Sequence, residues 1–175
     1  MRGVLLIIVA LLLPLVVFGG YFDITVQAMF LGISAQDVGG APYYEWNLDT
    51  LAMDTTVAMS DSDGVQIVNN SNVDVKLLLS VSDEADGWGH SDYAHWTAGA
   101  YQALNRYVLE GSFENTIDYD PVATLWLLIT ETSTVLYSPL AVDDDTYLHF
   151  RFRTPVPSSD YYGHRLTVII IAQPN

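Results

Sequence analysis

From Phe22 to Phe30 the chain alternates apolar and other residues without a break, so that Phe22, Ile24, Val26, Ala28 and Phe30 share one face of an extended strand. Shorter stretches rich in β-branched and aromatic residues follow at 43–47, 55–60, 65–69 and 73–81. Clusters of Gly, Asn, Asp, Ser and Pro separate them, the residues that break extended structure and supply turns. Asn69-Asn70-Ser71-Asn72 stands between two of these stretches, which predicts a hairpin of 65–69 with 73–81. Residues 83–97 are polar, aromatic and glycine-containing and read as a long ordered loop. Residues 98–110 fit a short helix or a strand, and strand is the expectation adopted here. Further strands are expected at 123–130, 147–153 and 165–172, the last buried because its apolar run is nearly continuous. Eight or nine strands with no clear helix predict an all-β fold, a single antiparallel sandwich of jelly-roll type over residues 21–175.

Residues 1–20 differ from all of this. Arg2 precedes an apolar stretch from Val4 to Phe18, broken only by Pro14, and Gly19-Gly20 closes it. Two readings stand: a secretion signal cleaved after Gly19 or Gly20, or a retained hydrophobic anchor helix. Pro14 and the glycine pair favour cleavage, since both interrupt a spanning helix. A pilin-type leader cut after Arg2-Gly3 ranks below both, because the segment behind it lacks an early acidic residue. Either main reading places residues 21–175 outside the cell, with membrane contact only where the segment is retained.

Charge narrows the partners. The formal net charge is −15, from 21 acidic residues against six Lys and Arg; loss of Arg2 with the leader makes it −16. Nucleic acid is excluded as a partner on this ground, because every phosphate contact would meet a repulsive field. Cysteine is absent, so no disulfide supports the fold, although an extracellular site permits them.

Two stretches taken together, Gly64 to Ser80 and Tyr147 to Ala172, resemble the β-sandwich surface proteins of the TasA and camelysin type and the related archaeal bundling pilins. The resemblance lies in a strand ending in an Asn-rich turn, a partner strand with alternating valines, and a closing strand ending in Ala. It covers about a quarter of the chain. It implies a subunit of an extracellular filament, a homopolymer in which the first strand, 22–31, completes the sheet of the next copy.

Candidate chemistry is sparse. The acidic clusters Asp143-Asp144-Asp145 and Asp83 with Asp86 are the places where calcium could find adjacent carboxylates, although neither has EF-hand spacing and solvated turns are the simpler expectation. The histidines, at 90, 95, 149 and 164, lack the spacing of a zinc site. No nucleophile elbow, phosphate loop or dinucleotide fingerprint occurs, and the chain is read as a non-enzyme. Trp88, Tyr93 and Trp96 crowd one loop and suggest a platform for a sugar ring, which makes a carbohydrate-binding module the main alternative to a filament subunit, with a membrane-anchored accessory domain third. Asn69-Asn70-Ser71 is a glycosylation sequon in what is expected to be an exposed turn.

Overall fold

A computed structural model describes residues 20–29, 32–82, 84–87, 96–115, 125–156 and 164–175. The hydrophobic segment before Gly20 lies outside them, and among the described residues no helix is long and apolar enough to cross a membrane. The regular structure among the described residues is almost entirely strand: β1 (Gly20–Met29), β2 (Ile33–Gln36), β3 (Glu45–Leu51), β4 (Thr56–Ala58), β5 (Val65–Asn69), β6 (Val75–Val81) and β7 (Glu84–Gly87). The second half supplies β8 (Trp96–Ala98), β9 (Arg106–Glu114), β10 (Leu127–Ile129), β11 (Thr134–Leu140), β12 (Asp145–Arg153) and β13 (His164–Pro174).

The strands form two layers. One runs β11–β6–β13–β1–β3, with β7 taking over from β6 along the start of β13. The other runs β2–β5–β12–β9–β10, with β4 taking over from β5 along β12. A short ladder, β7–β8–β9, joins the layers at one end.

Period-two patterning explains the packing. Leu166, Val168, Ile170 and Ala172 of β13 and Leu148, Phe150 and Phe152 of β12 each turn to the space between the layers and are buried. Tyr107 and Leu109 of β9 meet them there, also fully buried. β13 is an interior strand, flanked by β6 and β1; Val168 and Ile170 are buried between the layers, while Ile169 and Ile171 on its outer face are partly buried.

Several sequence expectations need correction. Strands 65–69 and 73–81 do not pair: β5 hydrogen-bonds to β12 and β2 in one layer, β6 to β13 and β11 in the other. The Asn-rich segment is therefore an arch that carries the chain across the sandwich. The sheets are antiparallel-rich but not purely so, since β1 runs parallel to β13 and β8 parallel to β9. Strands are also more numerous than expected, and residues 98–110 divide into the end of β8, a loop and the start of β9.

Candidate functional site

The face predicted for the first strand is the face the structure uses. Ile24 is fully buried and Val26 nearly so, both in the main core. Ile24 lies in register between Leu166 of β13 and Trp46 of β3, so one row of apolar side chains crosses three strands. β1 sits inside the chain's own sheet, parallel to β13 from Phe22↔His164 to Met29↔Ile171 and antiparallel to β3. Ala28 lies on the same strand at the position opposite Ile170, whereas Phe30 lies outside the described residues.

On the opposite face of β1, Asp23 is buried, 6 % exposed, and accepts a hydrogen bond from Arg165 Nη2 at 3.2 Å. The two residues are direct register partners. Only three residues, Phe30-Leu31-Gly32, connect β1 to β2 in the other layer. Gly32 has φ of +65°, and a Cβ there would come within 3.1 Å of the Ser71 backbone, so the link closes through a position that suits glycine alone.

Three outer edges among the described strands, those of β11, β3 and β2, are poor templates for another strand. β11 carries Pro139 and two register irregularities. β3 exposes Glu45 and Asp49 and has a left-handed residue at Asp49, φ 49°. β2 spans four residues.

Asn69 is not an exposed acceptor for a glycan. It is fully buried, and its Nδ2 donates to the carbonyls of Val73, Leu140 and Ala141 at 3.0, 3.1 and 3.0 Å. Its Oδ1 accepts from the Ser71 N–H at 3.0 Å and the Ser71 hydroxyl at 2.6 Å. The amide that a sugar would need is thus the bracket that ties the arch to the β11–β12 turn, which corrects the expectation of a modified surface residue.

That turn contains Asp143, in the left-handed region with φ 61°, and Asp144, both exposed. Asp144 Oδ1 accepts from the Asp145 N–H, while the Asp145 carboxylate accepts from Gln66 Nε2. These contacts are turn chemistry. Among the described residues no three His, Cys, Asp or Glu side chains converge in a metal-binding arrangement. Asp83 lies outside the described residues, and Asp86 occupies the β7 position opposite Arg165.

The aromatic loop is largely outside the description: Trp88, Tyr93, His90 and His95 all fall there. Trp96 is described, and it is 4 % exposed with its ring stacked on His164, centroids 3.9 Å apart. A ring so placed serves the core and has no free face for a sugar.

His149 alternates with Leu148 and Phe150 in β12 and points out of the core between the layers. It is nonetheless fully buried, because the link between β4 and β5 arches over it. The link is held by the Met59 N–H bonding to Phe150 O at 2.9 Å and by a turn at Asp61–Asp63, where Ser60 Oγ donates to Asp63 Oδ2 at 2.7 Å. Gly64 makes the close approach feasible: a Cβ there would stand 2.6 Å from His149 Nε2. Burial pushes the imidazole pKa down, against the opposing pull of Asp61, Glu114 and Asp63. Sequence reasoning missed this niche, for which only the lone outward histidine in β12 and the Asp-Gly turn before β5 were signals.

No protein-family model matches the chain, and no curated protein matches it.

Proposed function

We propose that this chain is a structural subunit of an extracellular filament or surface layer, and that copies assemble by exchanging β1, each subunit's first strand completing the sheet of the next. The observation that carries the reading is the position of β1: an interior strand, held between β13 and β3, that directly follows the apolar segment of residues 4–18 and is joined onward by three residues. A strand placed like this can leave its own slot and enter the same slot in a neighbour, keeping every pairing contact. The tight Gly32 link favours exchange, since a short hinge restrains closure onto the same subunit.

The blunted edges support the same reading from the other side. Edge-to-edge pairing is discouraged on β11, β3 and β2, which favours the β1 slot as a surface through which main-chain hydrogen bonds join subunits. The acidic surface fits too, because mutual repulsion limits other association and makes assembly depend on a specific strand.

The test is polymerisation of the purified full chain. Removal of residues 22–30 is expected to abolish it, and a synthetic peptide of that sequence added to the truncated chain is expected to restore a folded, non-polymerising subunit. A truncated chain that still polymerises overturns the proposal.

A further inference from the structure

The apolar face of β1 does not define its register. Phe22, Ile24, Val26 and Ala28 are the register partners of His164, Leu166, Val168 and Ile170, but a shift by two residues would set the same four against Leu166, Val168, Ile170 and Ala172. Every core-facing position would still find an apolar neighbour, and a slip by two keeps each side chain on its original face. Something on the other face must choose.

We infer that the Asp23–Arg165 ion pair is the register key of the β1 slot, the element by which the slot accepts this strand in one alignment. Asp23 is the only acid in β1, and Arg165 the only Lys or Arg in β13. They are direct partners in the parallel ladder and bonded at 3.2 Å. On its far side Arg165 lies in register with Asp86 of β7, and Asp23 with Asn47 of β3, so a single polar row, Asp86–Arg165–Asp23–Asn47, crosses four strands.

In the slip described above Asp23 would face Thr167 and lose its cation, and in the opposite slip it would face residue 163, a glycine. A buried carboxylate without a partner is costly, whereas in the first of these slips the apolar face loses little. A charged pair that contributes little net stability can in this manner contribute specificity, as polar residues do in coiled-coil seams. The key works identically whether β1 belongs to the same chain or to a neighbour. That its natural partner is a second copy of this chain rests on the exchange reading above.

The chain contains no cysteine, so paired thiols introduced into the full chain report register without background. Thr25→Cys with Thr167→Cys traps the observed register, and Thr25→Cys with Ile169→Cys traps the two-residue slip. Adding Asp23→Asn is expected to lower the ratio of native to slipped cross-link about tenfold, which corresponds to about 1.4 kcal/mol. Arg165→Gln, at a position about half exposed, is expected to give the same shift and serves where Asp23→Asn folds poorly. The reversed pair, Asp23→Arg with Arg165→Asp, is expected to restore the native ratio. An unchanged ratio in the single variants, or a reversed pair as disordered in register as the singles, overturns the inference. Whether the links join two chains or close within one is read from the mass of the products, and that outcome bears on strand exchange alone.

Discussion

Replacement of Asn69 by alanine removes five hydrogen bonds at the point where the chain crosses from one layer to the other. Of the three carbonyls that Nδ2 serves, that of Leu140 is in a fully buried bond and those of Val73 and Ala141 are partly buried. Leaving one buried acceptor unsatisfied costs about 1–3 kcal/mol, and the partly wet bonds add about 0.5–1.5 kcal/mol each. The sum, about 3–5 kcal/mol after allowing for water reaching the exposed side, is a large share of the 5–15 kcal/mol typical of a domain. Equilibrium urea unfolding should show the midpoint falling by about 2 M for an m-value of about 2 kcal/mol/M, with m itself unchanged. Asn70→Ala is the internal control: Asn70 is exposed and its side-chain amide donates to Ser34 Oγ at 3.0 Å, so a change of no more than about 0.5 kcal/mol is expected. An Asn69→Ala chain within about 1 kcal/mol of the parent would refute the bracket, as would a folded protein carrying a glycan on Asn69.

Other outcomes follow from the same geometry. Ile24→Ala, at a fully buried site, should destabilise by about 2–5 kcal/mol by thermal or chemical denaturation, whereas Thr25→Ala on the half-buried face should cost under about 1 kcal/mol; equal effects would contradict the placement of β1. Gly64→Ala should cost about 1–3 kcal/mol by crowding His149, and much of that cost should vanish in a His149→Ala background; an additive double mutant would separate the two residues. Because burial holds the His149 pKa below its unfolded value near 6.5, the unfolded chain binds this proton more readily. Stability should therefore fall as pH drops below about 6.5, and His149→Leu should flatten that part of the profile. A His149→Leu chain with an unaltered acid limb would remove the histidine from that account.

Much of the fold could be read along the chain because period two is a local signal. Val65–Asn69 has the expected bounds, and the inward face of β1 is the one its alternation names. What failed was partner choice. An Asn-rich turn has the same local chemistry whether it closes a hairpin or arches between sheets, and the difference lies in Leu140 and Ala141, some seventy residues away, whose carbonyls hold Asn69. The same burial turned a formal sequon into a structural bracket. β11 was missed because Pro139 reads as a break, which an edge strand tolerates, and β2 because four residues carry too little pattern. Trp96 sits in a polar, aromatic stretch and reads as a surface ring, yet its stacking on His164 depends on β13, far along the chain.

The exchange of β1 is tested most directly by the link between positions 25 and 167 in assembled protein. With Thr25→Cys and Thr167→Cys in an otherwise unaltered chain, oxidation or a short thiol cross-linker joins register partners of β1 and β13. Denaturing gels should then show a ladder of covalently linked chains drawn from the polymer. Polymeric material whose cross-linked product runs only as a single chain would mean that the strand stays in its own sheet, and would contradict the account.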